Sequence, residues 1–382
     1  MTGDAPEILA LTRHGRMGAS SRVRIMQFAP YFEAAGLRLT IAPFVDDAYL
    51  AQTYAGRRPI GATLGAYLRR ARTMARARPA AFWLEKEALP WVPGWVEQSL
   101  KAREVPILSD YDDAVFHTYD EHRLPLVRRA LGTKIDRVMS SSDVVLAGNA
   151  YLAARAKAAG ALDVRIVPTA VDMSDYRPRD EPKNGSLTVG WIGSPSTWKY
   201  HLLPRLQSLE EALRPLGAEI LVVGSGERGH ESDVTRFLDW SEAGEIAAIQ
   251  QMDIGIMPLP DDAWSRGKCG YKLIQYMACA LPVVASPVGV NKCIVEHGRN
   301  GLLAERDDEW QAALKLLIAE AGLRKDMGRE GRKKIAASFS TQVWGPRIAE
   351  VFKTMCEMRG ITSRCVKDTN DGPQAGSKKC AG

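Results

Sequence analysis

Short apolar runs recur along the chain, each closed by a polar or glycine-bearing turn and followed by an amphipathic stretch. Residues 7–15 (EILALTRHG) open the series as a strand and turn. In the following SRVRIMQFAPYFEAAG, Val23, Met26, Phe28, Tyr31 and Phe32 gather toward one side at helical spacing, and Gly36 is placed to stop that helix. LRLTIAPF reads as the next strand. This β–turn–α–β order is the seed of a doubly wound parallel sheet. It continues through AAFWLEKEA (strand), GWVEQSLKARE (helix), VPILSDYDDA (strand), KIDRVMSSS (helix), DVVLAGN (strand) and AYLAARAKAAG (helix).

After VRIVPTAVDMSDYRPRDEPKNG, a loop rich in proline, charge and glycine, the same alternation starts again at residue 186. SLTVGWIGS, AEILVVGSG, VTRFLDW, DIGIMPLP and LPVVASP read as strands. LLPRLQSLEEALRPLG, EIAAIQQM, DEWQAALKLLIAEAG and LRKDMGREGRKKIAASF read as helices. The pattern predicts two α/β domains, 1–178 and 179–339. A helix at 340–360 is expected to recross to the first domain, ahead of a disordered, aromatic-free tail at 361–382. Gly224–Gly229 matches G-x-G-x-x-G, but HESDVTRFLDW behind it carries no helical stripe. A tight turn is therefore expected there, not a dinucleotide site.

Composition changes this picture little. With 46% apolar and 25% charged residues the chain is of globular type, and no apolar run reaches membrane-span length. Residues 1–16 lack the order of a secretory signal. All six cysteines lie at or beyond Cys269 without Cys-x-x-Cys spacing, which fits a reducing cytoplasm and no zinc site. The net charge of +6 is modest but partly local. The 57–78 stretch holds seven arginines and no acid, with Arg69, Arg72 and Arg76 on one helical face. A solvated face and a surface meeting an anionic membrane leaflet both fit, the latter giving peripheral contact at the inner membrane face. No aromatic residues interleave these arginines, so nucleic acid is not expected as a partner.

The densest chemistry lies in RGKCGYKLIQYMACALPVVASPVGV (266–290). Gly267 and Gly270 allow close backbone approach. Lys268, Cys269, Gly270 and Tyr271 sit where the amides of a helix N-terminus would face an anion. Together with DIGIMPLPDDAWS before it, VGWIGSPSTWKYHLL, VRIVPTAVDMSDYRP, TRHGRMGASSRVRIMQ and IVEHGRNGLLAE, this stretch resembles a GT-B glycosyltransferase of the family 4 style over roughly residues 8–355. The resemblance implies two Rossmann-like domains facing a central cleft, the first on the acceptor side and the second binding a nucleotide sugar. It implies retaining transfer without cofactor or bound metal, the nucleoside diphosphate sugar being a substrate.

By that resemblance, Lys199 takes the place of the family's phosphate-binding lysine after the turn bearing Gly193, and Ser194 stands where the family has arginine. In the family's Glu-x7-Glu, Gly267 stands at the first position and Gln275 at the second, facing the ribose. Lys272 is a further donor-site cation, and the backbone around Gly289 is placed near the sugar. On the first domain, Gly18 would lie against the diphosphate. Ser21, Arg22, Glu87, Asp110, Asp112 and His117 are candidate acceptor or sugar contacts, although Ser21 is equally placed to cap its helix. Asp113 joins Lys199 and Lys268 as a catalytic candidate, because carboxylates at a strand end suit base or hydroxyl-binding work. The expected function is sugar transfer to a saccharide or lipid-linked acceptor in surface polysaccharide or glycoconjugate synthesis. A 2-epimerase of the same fold and a non-catalytic sugar-nucleotide-binding protein are the alternatives.

Overall fold

The computed structural model describes residues 5–370, apart from 55, 58, 59, 102, 181–184 and 227–229. Twelve strands alternate with helices among these residues: β1 (Glu7–Thr12), β2 (Arg38–Pro43), β3 (Ala81–Glu85), β4 (Ile107–Tyr111), β5 (Val144–Ala147), β6 (Val164–Ile166), β7 (Thr188–Ile192), β8 (Glu219–Val223), β9 (Thr235–Leu238), β10 (Ile254–Met257), β11 (Val283–Ala285) and β12 (Gly301–Leu303). They form two six-stranded sheets, ordered β2-β1-β3-β4-β5-β6 and β12-β11-β10-β7-β8-β9. Every pair is parallel. Helices cover both faces, so central strands such as β3, β4 and β7 are buried along their whole length and largely apolar, with Glu85, Ser109 and Asp110 buried toward the C-terminal ends of β3 and β4. This is the expected α/β architecture of two Rossmann-like units.

The sheets differ from expectation mainly where proline intervenes. The helix predicted over 21–36 is three short pieces, Ala19–Arg24, a 3-10 turn Met26–Phe28 and Ala29–Ala34, with Pro30 in the first turn of the last. Gly36 ends it at φ +74°. The helix predicted over 202–217 is likewise divided around Pro204 and Pro215, and it starts with a π turn, Trp198–Leu202. After β8, Gly224 and Gly226 adopt positive φ, and no helix occurs among the described residues before β9; the rest of that glycine run, 227–229, lies outside the described residues.

The last helix, Thr341–Asn370, returns to the first sheet. It runs ten residues into the segment predicted as tail; 371–382 lie outside the described residues. Phe352 is fully buried, with ring centroids 5.3 Å from Phe32 and 5.0 Å from Trp83 of β3. Two chain segments therefore join the lobes, one at 167–187 and one at 339–341. They are tied together by Val171 N–H to Phe339 O (3.0 Å) and Thr341 N–H to Val171 O (2.9 Å). No helix among the described residues is long and apolar enough to cross a membrane.

Because Phe352 anchors the returning helix, Phe352→Ala should cost about 3–5 kcal/mol. Urea denaturation checks this; a loss below about 1 kcal/mol would show that the helix docks without it.

Candidate active site between the two sheets

The strand ends of both sheets converge on one seam, where the turn 266–270 of the second lobe meets the first. Helix Ala263–Arg266 is capped by Asp262, whose Oδ1 accepts from Ser265 N–H (2.7 Å). Gly270 then adopts φ +69°, tightly against Ile294, and opens helix Tyr271–Ala278; both conformation and space require glycine. The helix's earliest amides precede its first backbone bond, Ile274 N–H to Gly270 O, and so have no intrahelical acceptor.

Across the seam, Asn149 caps helix Ala150–Ala158 with its side-chain oxygen. Its Nδ2 donates to Gly267 O (3.0 Å) and Lys268 O (2.9 Å). A Cβ on Gly267 would lie 2.8 Å from Ala114 N. Glycine at the first acid position of the resembled motif thus has a local cause: the first lobe's backbone occupies that space. Gly289, at φ +52°, similarly packs on Arg266 O.

Charge pairing in the seam is dense. Lys268 Nζ reaches Asp113 Oδ1 at 2.8 Å. Lys86, a non-glycine residue at φ +67° just past β3, is buried against Asp112 (2.8 Å) and Asp113 (3.7 Å), which hold its pKa up despite burial. Burial opposes ionisation of Asp112, but Lys86 and a Ser20 hydrogen bond outweigh it and bring its pKa down to about 2. Asp110 accepts from Arg24 twice on one oxygen (2.9 and 2.8 Å), yet burial pushes it up to about 6 against that pull. Glu87 is enclosed by Lys134 (2.6 Å), Arg13 (3.1 Å) and the Tyr119 hydroxyl (2.8 Å).

These contacts revise several expected roles. Glu87 and Asp110 are buried ion-pair members, not open acceptor contacts. Ser21 does not cap its helix; its hydroxyl donates to Glu85 (2.6 Å) and accepts from His14 N–H (3.1 Å), pinning the glycine loop to β3. His117 is held between Asp120 (2.9 Å) and the Tyr151 hydroxyl (2.8 Å). With Glu121 it forms a group whose geometry suits an ion, but Arg155 already engages Asp120 at 3.0 Å. Gly18 packs against His14, which burial, Arg13 and Lys86 keep neutral with a pKa of about 3. Cys269 is buried against Gly148, its thiol pushed up by burial. Gly193 packs on the Trp191 ring, and Ser194 caps the turn Pro195–Thr197 in a capping box. Lys199 is exposed, with no hydrogen bond or ion pair among the described residues.

Lys272 is a half-buried cation of the seam without an ion pair among the described residues. Its ammonium lies 5.3 Å from the Trp191 ring centroid, and it has no hydrogen bond or carboxylate partner among the described residues. Burial, reinforced by Lys268 and only partly opposed by Asp113, lowers its pKa to about 7. His201 nearby is depressed to about 3 by burial and by Lys272 and Lys268. This corner is electropositive and lies at a helix N-terminus, with Asp113 only partly offsetting the charge of Lys268 and Lys272.

Glu245, not singled out in the sequence, forms a second centre. Its Oε1 accepts from Gln275 Nε2 (2.8 Å) and the Tyr176 hydroxyl (2.7 Å), and its Oε2 from Trp240 Nε1 (2.8 Å). The Tyr176 hydroxyl also lies 3.2 Å from that of Tyr271. Gln275 is thus a buried amide supporting a carboxylate from helix Glu245–Gln250. Arg22, from the opposite lobe, approaches Glu245 at 3.5 Å and stacks 5.2 Å from the Trp240 ring centroid. Only the tertiary fold brings 22, 176, 240, 245 and 275 together. A separate cavity of about 190 Å³ lies beyond β10–β12, lined by Leu259, Ser286, Val288 and Lys292 among others, and is smaller than a nucleotide site requires.

Residues 187–320 match the family model described as Glycosyl transferases group 1. The O-antigen biosynthesis protein RfbC of Myxococcus xanthus is 25% identical over 191 residues, covering 48% of this chain and 14% of that protein. The D-inositol 3-phosphate glycosyltransferase of Pseudarthrobacter chlorophenolicus is 33% identical over 100 residues, covering 25% of this chain and 23% of that one. The chain therefore spans less than a quarter of the length of either curated relative. Among solved structures, HepE of Anabaena in complex with UDP and glucose superposes with TM-score 0.70 at 17% identity, covering 91% of this chain and 99% of HepE. At that identity the likeness establishes the GT-B fold.

Since Ala114 fills the space beside Gly267, Gly267→Glu should force the lobes apart. Small-angle X-ray scattering should then give a larger radius of gyration; an unchanged radius would show that this contact does not set the lobe spacing.

Proposed function

We propose that this chain, a GT-B protein whose second domain carries the group 1 glycosyl transferase sequence, transfers a sugar from a nucleoside diphosphate donor to a saccharide or lipid-linked acceptor with retention. The observation that carries the reading is Lys272, a half-buried cation without an ion-pair partner among the described residues, at the amide-lined start of helix Tyr271–Ala278. A diphosphate supplies the missing charge. Its departure from the sugar develops negative charge where Lys272, Lys268 and the helix amides already point, which lowers the barrier by preorganised electrostatics. Lys268 is bound to Asp113 in the present state, so a donor phosphate shares or displaces that carboxylate. Lys199 is a secondary phosphate contact in this scheme.

No protein nucleophile is invoked: a leaving phosphate oxygen takes the acceptor proton on the same face. The Gln275–Glu245–Tyr176 centre, beside Trp240, receives the ribose hydroxyls and base. The closed seam excludes water from the donor. The O-antigen role of RfbC supports surface polysaccharide assembly as the setting. The epimerase alternative needs a free acid in the cleft, whereas Asp112, Asp113 and Glu87 are each ion-paired.

The reading is tested by thermal shift against UDP, GDP, ADP and dTDP, followed by nucleoside diphosphate release from the matching sugar donor with and without acceptor. Acceptor-dependent release supports transfer. Binding without release from any donor would make the protein a non-catalytic binder.

Lys272→Met should weaken nucleoside diphosphate affinity by roughly tenfold or more, through loss of a charge-assisted contact. Lys199→Ala should have the smaller effect. The protonated ammonium is the form that binds phosphate, and its pKa in the free protein is about 7. Affinity should therefore be full below that value and decline as pH rises above it, with proton uptake visible by calorimetry in buffers of different ionisation enthalpy. Lys272→Met should flatten the profile; the same slope in wild type and variant would remove Lys272 from the phosphate site.

A further inference from the structure

The first lobe carries a surface that the transfer reading does not use. On helix Ile60–Arg76, Leu64 and Leu68 stand 64% and 52% exposed one turn apart, with exposed Ala71 and Ala75 continuing their strip. Along one side of this strip runs a row of exposed arginines, Arg69, Arg72 and Arg76. On its other side Tyr67 donates its hydroxyl to Pro90 O (2.6 Å), which ties the helix to the loop of Trp91, 47% exposed. The Trp91 ring meets His122 edge-on at 5.7 Å, and His122 Nδ1 accepts from Leu124 N–H. Leu124 and Leu126 are 51% and 77% exposed, followed by exposed Arg128 and Arg129. Apolar side chains thus run between two arginine rows.

Charge decides what covers such a surface. No acid occurs from residue 48 to 84 or from 122 to 135. A second copy of the chain would set arginines against arginines, so a self-interface is electrostatically disfavoured. Arg70, the one arginine of this helix turned inward, donates to Thr12 O (2.6 Å) and Ala42 O (2.8 Å), which leaves the outward arginines uncommitted to the fold. Exposed leucines with a tryptophan at their margin and arginines on both flanks match the layers of a lipid interface: acyl chain, interfacial belt and anionic headgroup.

We infer that this face of the first lobe docks on an anionic lipid bilayer, with Leu64, Leu68 and Leu126 entering the headgroup–acyl boundary and the flanking arginines binding lipid phosphates. The inference goes beyond the transfer reading and does not rest on it. Trp91 N–H donates to the Tyr119 hydroxyl (3.1 Å), which in turn donates to buried Glu87, so the face is fastened to the seam through two hydrogen bonds.

The test is co-sedimentation of the full chain with phosphatidylglycerol–phosphatidylcholine vesicles and with pure phosphatidylcholine vesicles. Wild type should bind the anionic vesicles roughly tenfold or more tightly, losing affinity as salt rises. Leu64→Glu with Leu126→Glu should abolish binding. Arg69→Gln, Arg72→Gln and Arg76→Gln together should weaken it and reduce the salt dependence. All these residues are exposed, so melting temperature and donor turnover on a water-soluble acceptor should stay at wild-type values. Equal affinity for both vesicle types, or binding that survives the leucine substitutions, would overturn the inference. So would a wild type that ignores vesicles and instead self-associates until Leu64→Glu makes it monomeric. Nucleotide binding is read separately, so failure of the donor reading leaves the vesicle result interpretable.

Discussion

The contact of the 266–270 turn with the first lobe is what makes one site from two sheets. Asn149 closes it from below by donating to two consecutive carbonyls of the other lobe, while its own oxygen starts a helix. A buried carbonyl left without a donor is costly, so the turn keeps its shape only where Asn149 can reach it. Gly267 and Gly270 are then consequences, one set by a neighbouring backbone and the other by a left-handed torsion. The start of helix Tyr271–Ala278 points where it does because the residues before it are fastened to a different domain.

The second organising fact is the uneven distribution of charge across that contact. Asp110, Asp112, Asp113 and Glu87 each have a cationic partner, drawn from Arg24, Lys86, Lys268 and Lys134. These pairs bring backbone segments into register. Lys272 has no ion pair among the described residues, and an aromatic face is a weak substitute for an anion. The proposed diphosphate would supply the anion that Lys272 lacks.

The sheets were legible because parallel strands covered on both faces are largely apolar, and runs such as ILAL and ILVV follow that rule. The turn 266–270 was legible as a tight entry to a helix because Gly270 takes a left-handed torsion there. The limits are equally physical. Periodicity passed over Pro30 and Pro204, which divide helices that the apolar spacing joined. Strand-end position identified the acids of the first lobe without revealing that Arg24, Lys86 and Lys134 would consume them, since those partners come from distant segments. Glu245 gave no signal, because its meaning depends on Tyr176, Trp240 and Gln275 arriving from three other elements.

The paired crossings at Val171 and Ser340 constrain what the two lobes can do. Two separate tethers would let them slide or drift apart. Fastened to each other, they leave rotation about one point as the freedom of least resistance, and in such a rotation the groups farthest from the fastening would travel most.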